Sequence, residues 1–205
     1  MLVAPVGICL LLFGSANKKM RILVVDNVNT GGMHSLTNAL KDYPHDLMRY
    51  NKISARALSK YDKIILSGGH AFGVLHPRAK YKKELEMVKR SRRPILGICL
   101  GFQLICRAYG AQMTDLKTYE KRVLRIKKLD ADPMLKGVPE SFLAFEYHRH
   151  LVTAVSHELI PLAISNDGIE MVKHRSKPIW GTQFHPDKLV KRTTGRKILY
   201  NFLNA

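Results

Sequence analysis

The chain is short of cysteine, of acid and of long apolar runs. Its three cysteines, Cys9, Cys99 and Cys106, cannot all pair with one another. That argues against a disulfide framework and for a reducing compartment, hence a cytoplasmic setting. Cys99 and Cys106 have no second C-x-x-C beside them, which disfavours a zinc site. The apolar run Leu2–Phe13 falls well below the roughly 20 residues needed to cross a bilayer, so no membrane partner is expected. Neither G-x-x-x-x-G-K-[ST] nor G-x-G-x-x-G occurs, so no recognisable loop for ATP or dinucleotides is present and no cofactor is expected. Asp and Glu number 16 against 34 Lys and Arg, a net charge of +18 that favours polyanionic or acidic partners.

What is present suits one globular domain. The 205 residues are 46% apolar and 24% charged, enough to bury a core without staples. Basic residues concentrate at Arg78–Arg93 and Lys117–Lys128. Neither run is interleaved with stacking aromatics, so the reading is a solvated surface, or one that docks an acidic protein, with no specific nucleic acid. The regular pattern starts at Arg21. Residues 1–19, with lysines after rather than before the apolar run, read as an amino-terminal extension, and residues 20–205 as the domain.

Ile22–Asp26, Asp46–Tyr50, Lys63–Ser67 and Pro94–Ile98 read as strands, with a turn at Asn27–Gly32 after the first. They alternate with helical segments at Ser35–Leu40, Tyr81–Lys89 and Leu100–Tyr109. This alternation predicts an α/β fold, flavodoxin-like and doubly wound, with a mostly parallel sheet. After residue 111 strand follows strand: Arg122–Leu129, Leu143–His148, Leu159–Ile164, Ile169–His174 and Pro178–Phe184, before a last helix at Thr193–Leu203. These predict an antiparallel carboxyl-terminal extension of the same single domain.

The chemistry gathers in three short segments. Gly97-Ile-Cys-Leu-Gly101 is a G-x-nucleophile-x-G pattern between a predicted strand and a predicted helix. Its glycines permit the sharp turn, and the unpaired N–H groups of the helix's first turn favour a negative sulfur at Cys99. Gly181-Thr-Gln-Phe-His-Pro-Asp187 supplies a base, His185, and a carboxylate two residues on, Asp187, at a strand end. Ser67-Gly68-Gly69 follows another strand. Backbone N–H groups there, with that of Leu100, would form an oxyanion site. His148-x-His150, His70 and His76 lack completing ligands, so no metal is expected.

Taken in order, Ser67-Gly-Gly69, Gly97-Ile-Cys-Leu-Gly-Phe-Gln103 and Gly181–Asp187 resemble the three signatures of the class I (triad) glutamine amidotransferases, and the likeness runs from about Met20 to Leu203. The resemblance implies a glutaminase. Cys99 would attack the carboxamide, His185 carry the proton, and Asp187 orient the histidine. Gly69 and Leu100 would hold the oxyanion, and Gln103 help bind glutamine. The chain departs from the family pattern at Asp187, where glutamate is usual, at His70, where proline is usual, and at Phe102, where histidine is common. Ser-Gly-Gly and Asp26-Asn27 look most like the stand-alone glutaminase subunits of GMP synthases. That implies that the ammonia-accepting synthase is an ATP-pyrophosphatase subunit. Tyr147-His148 is similar instead to anthranilate and aminodeoxychorismate synthase subunits. A gamma-glutamyl peptide hydrolase and an inactive basic binding protein are the remaining alternatives.

Overall fold

The computed structural model describes residues 19–28, 33–69, 73–75 and 80–205. The apolar amino-terminal run, Cys9, the second half of the Asn27–Gly32 turn, His70 and His76 lie outside the described residues.

Nine strands form one sheet in the order β2-β1-β3-β4-β9-β8-β7-β5-β6. The first five are β2 (His45–Arg49), β1 (Ile22–Asp26), β3 (Lys63–Leu66), β4 (Ile95–Ile98) and β9 (Ile179–Thr182), all paired in parallel. Their order is that of a flavodoxin-like sheet, as expected. β8 (Ile169–His174), β7 (Leu159–Ile164), β5 (Gln112–Lys128) and β6 (Ser141–Ala154) continue the sheet with antiparallel pairing.

The central strands are short apolar runs because both of their faces are covered. On β1, Ile22 and Val24 face a core shared with α1 (His34–Ala39) and α5 (Gly195–Asn204). Leu23 and Val25 face the core under α3 (Lys82–Arg90) and α4 (Leu100–Ala108). Alternation along the strand thus splits the hydrophobic residues into two layers. Lys63 is buried at the start of β3, and its ammonium donates to the carbonyls of Phe202, Leu203 and Ala205, satisfying the carboxyl end of α5.

Three features differ from the sequence expectation. Ala55–Leu58 forms an additional single-turn helix, α2, whose preceding Ser54 hydroxyl accepts from the Ala57 N–H at 3.2 Å. β5 begins ten residues before the expected start, and β6 extends six residues past His148. The early half of β5 is rich in charge and carries no apolar alternation, so its strand conformation comes from pairing with β6. That pairing breaks register between Asp115 and Glu120, where Lys117 has φ 69°. The last strand, β9, is part of the parallel body: it lies between β4 and β8, parallel to the first and antiparallel to the second.

Candidate active site

The position of β9 assembles the site. Gly97 of β4 pairs with Gly181 of β9, and Ile98 with Thr182, so Cys99 and the segment 183–187 leave the same end of adjacent strands. The Cys99 N–H donates to the Thr182 carbonyl at 2.8 Å, which extends the ladder up to the turn. Ligand sites in open parallel sheets lie at this carboxyl end.

Cys99 has φ 50° and ψ −102°, a conformation that is costly for a residue with a side chain. Close packing imposes it. A Cβ on Gly97 would lie 2.5 Å from the Gly101 carbonyl carbon and oxygen, and one on Gly101 would lie 2.3 Å from the Leu66 carbonyl oxygen. Strand, turn and helix therefore touch backbone to backbone, and the cysteine is left at the apex. α4 begins at the next residue.

Cys99, His185, Asp187, Gly68 and Gly69 line one cavity of about 190 Å3, with Tyr147 on its wall. His185 Nδ1 lies 3.2 Å from Asp187 Oδ1, and the His185 N–H donates to the Phe145 carbonyl at 2.8 Å. The Cys99 thiol donates to the Tyr147 carbonyl at 3.5 Å. Gly68 sits between the two reactive side chains: a Cβ there would be 3.0 Å from His185 Cε1 and 3.5 Å from Cys99 Cβ.

Burial disfavours a charged His185. The Cys99 sulfur, as a thiolate, and the Asp187 carboxylate outweigh that effect and push the imidazole up to about 10. Burial likewise raises Asp187, but its hydrogen bond to His185 and the charges of His185 and Lys188 hold it below the usual carboxylate range. A thiolate–imidazolium pair oriented by a carboxylate is the arrangement that nucleophilic catalysis by cysteine needs. Cys106, on the same helix, makes the contrast: it is wholly enclosed, and burial alone pushes its thiol far up.

Leu100 and Gln103 line a second, smaller cavity that also reaches Cys99 and Gly69. Gln103 is buried, and its Nε2 donates to the His150 carbonyl and to Gln183 Oε1, both at 3.1 Å. All six candidate residues named from the sequence therefore border the two cavities that meet at Cys99.

Other groups come to light only with the fold. Tyr119 of β5 packs against Tyr147 of β6, their rings 5.4 Å apart, and walls both cavities. Arg149, beside them, is paired through two hydrogen bonds with Asp115. Behind the site, the inward positions of β6 carry Glu146 and His148, 3.2 Å apart and buried, with Glu170 of β8 beyond. Burial raises both carboxyls and lowers His148. Two-residue alternation along β6 is the signal that would have placed them inward. His148 and His150 hold no metal cluster: among the described residues no group of three His, Cys, Asp or Glu is arranged for one. No helix among them is long and apolar enough to cross a membrane.

A family model of class-I glutamine amidotransferases matches residues 23–205. Anthranilate synthase component 2 of Saccharolobus solfataricus is 34% identical over 193 residues, which cover 89% of this chain and 97% of that protein. The glutamine-hydrolyzing subunit of GMP synthase from Methanococcus aeolicus is 34% identical over 172 residues, covering 77% and 87%. Among solved structures, a candidate subunit of the same synthase from Thermoplasma acidophilum superposes with a TM-score of 0.80 at 26% identity, over 91% of this chain and 93% of that one.

Proposed function

Because the chain belongs to the class I glutamine amidotransferases, we propose that Cys99, His185 and Asp187 are its catalytic triad and that it releases ammonia from glutamine for a GMP synthase. The observation that carries this reading is the β4–β9 register, which sets a cysteine at a strained turn beside an imidazole already paired with a carboxylate.

The Cys99 thiolate attacks the carboxamide carbon of glutamine, and the carbonyl electrons move onto oxygen. The N–H groups of Gly69 and Leu100 receive that oxyanion. His185 then gives its proton to the departing nitrogen, ammonia leaves, and a thioester remains on Cys99. Water, deprotonated by His185, adds to the thioester. Glutamate departs and the sulfur is restored. Asp187 holds Nδ1 of His185, so the other ring nitrogen is available to the sulfur and the substrate. The 3.2 Å contact supports aspartate in this role despite its shorter side chain.

The ammonia acceptor is the ATP-pyrophosphatase subunit of GMP synthase, which the Ser67-Gly-Gly69 loop and the likeness to the Methanococcus and Thermoplasma proteins support. A second reading, a glutaminase component for anthranilate synthesis, is favoured by Tyr147-His148 and by the Saccharolobus relative.

Glutamine hydrolysis by the purified chain, alone and with each candidate synthase, separates the two. The GMP synthase partner is expected to stimulate ammonia release and the chorismate-using one is not. Cys99→Ala is expected to abolish release without changing the melting temperature by more than a few degrees. Ammonia release by that variant at the wild-type rate refutes the triad.

A further inference from the structure

Beneath the proposed oxyanion loop lies a polar ladder that the reaction above does not use. Asn27 follows β1 and is buried. Its N–H donates to Ser67 Oγ at 3.0 Å, its Nδ2 donates to the Ser67 carbonyl at 3.1 Å, and Ser67 Oγ donates to the Gly68 carbonyl at 2.8 Å. Asn27 also supports Gly69 directly, since a Cβ on Gly69 would lie 2.2 Å from the Asn27 carbonyl oxygen. Asn27 thus grips all three residues of the loop.

The ladder has an unfinished end. Asn27 Oδ1 is buried and, among the described residues, accepts no hydrogen bond. Against the Asn27 side chain lies Glu84 of α3, with none of its surface exposed and neither carboxyl oxygen accepting a bond from a donor. Orphaned buried acceptors are costly, and an ionised carboxylate with no partner is costlier still. One proton resolves both orphans: a neutral carboxylic acid is a donor, and the amide oxygen beside it is an acceptor. We propose that Glu84 is a positioning residue, a protonated acid that donates to Asn27 Oδ1 and through Asn27 fixes the Ser67–Gly69 loop against Cys99.

The surroundings agree. Burial is the largest influence on Glu84 and pushes its carboxyl up to about 8, and no charged group contributes to the shift. The charged side chains on neighbouring elements are turned to other partners: Arg49 to Asp26, Lys83 to the Asn51 carbonyl, Arg107 to the Val74 carbonyl. The other titratable groups on these elements are the phenols of Tyr50 and Tyr81, whose rings lie 6.0 Å apart, and the Cys106 thiol. α3 is held where Glu84 can act, because Tyr81 shares a core with Leu100 and Leu104 at the start of α4.

The inference rests on the reading of Gly69 as an oxyanion donor, so its test includes readouts that need no turnover. Glu84→Gln keeps a donor for Asn27 Oδ1, and Glu84→Leu removes it. At pH 7, wild type is expected to show the infrared carbonyl stretch of a protonated carboxyl that is missing from Glu84→Gln. Because the folded carboxyl holds its proton up to about pH 8 and the unfolded one only to about 4.5, wild-type stability falls as pH rises between those values and levels off above them. The melting temperature of Glu84→Gln relative to wild type should therefore climb from pH 5 to pH 8 and then stay flat. Amide exchange at residues 67–69 should be about tenfold faster in Glu84→Leu than in Glu84→Gln.

In turnover, Glu84→Leu should lose about tenfold in kcat with little change in KM, and Glu84→Gln should rescue that loss and lack the decline that wild type shows near pH 8. A melting-temperature difference independent of pH, or equal exchange in the two variants, overturns the proposal. Glu84→Gln decides the first point even if Glu84→Leu does not fold. A wild-type chain that releases no ammonia would sink the triad, while the infrared, melting and exchange results would still decide Glu84.

Discussion

Gly68→Ala isolates geometry from chemistry. Gly68 has no positive φ, so alanine fits its backbone, and the added methyl meets only side chains. It would sit 3.0 Å from His185 Cε1 and 3.5 Å from Cys99 Cβ. Carbon atoms prefer about 3.5–4.0 Å, so the imidazole must retreat by roughly 0.5–1 Å. The main chain of His185 is tied to the Phe145 carbonyl, so the ring rather than the strand moves, and its hydrogen bond to Asp187 lengthens. A displacement of about 1 Å in a catalytic group costs on the order of 10²-fold. We therefore expect kcat for glutamine hydrolysis to fall about 10–100-fold, roughly 1.4–2.7 kcal/mol of barrier. The melting temperature should move by no more than about 4 °C, since a tolerated Gly→Ala change also lowers the entropy of the unfolded chain. Gly110→Ala is the matched control. Gly110 has φ 76° after the end of α4, with nothing within 4 Å of an added Cβ. Its variant should lose about 1 kcal/mol of stability and keep wild-type kcat. Wild-type kcat in Gly68→Ala refutes the stated closeness of sulfur and imidazole, and so does a loss of kcat in both variants.

Other outcomes follow from the same site. His185→Ala should cost about 10³–10⁴-fold in kcat and Asp187→Asn about 10–10²-fold, because the proton carrier contributes more than the group that orients it; equal losses in steady-state assays contradict these roles. His185 should remain protonated through neutral pH and release its proton near 10, read from the imidazole Cε1 proton by NMR. In Cys99→Ala that midpoint should drop, since burial persists and the sulfur's charge is gone; an unchanged midpoint excludes the ion pair. Being raised, His185 contributes stability that is complete below about pH 6.5 and lost as pH climbs through about 10.

Much of this architecture is legible in the residues. β1, β3 and β4 are short apolar runs followed by asparagine, serine or the cysteine turn, and both Gly97-x-Cys-x-Gly101 and His185-Pro-Asp187 announce turns at strand ends. What no local pattern reveals is that β9 returns to lie beside β4, because parallel pairing joins residues more than eighty apart in the chain. The early half of β5 and the wall residue Tyr119 are hidden for a related reason: only β6 across the sheet makes that polar stretch a strand. Glu84 is the instructive case. In Lys82-Lys-Glu-Leu-Glu-Met-Val-Lys-Arg90 it looks like one more solvated charge, yet it shares the 84, 87, 88 spacing of the buried face with Met87 and Val88. The period was visible; the cost of burying an acid argued against it, and the orphaned amide oxygen that makes burial tolerable belongs to another element.

β6 touches the reactive groups with main-chain oxygens: the Phe145 carbonyl holds the His185 N–H, and the Tyr147 carbonyl faces the sulfur. Peptide carbonyls are common to every amino acid, so the rim of the mouth is free to change its side chains, and with them its selectivity, while the reacting atoms keep their support. The same economy makes the hairpin a single handle. A protein that grasped its outer edge and slid it by a fraction of an ångström would act on imidazole and sulfur together, throttling ammonia output without entering the cavity.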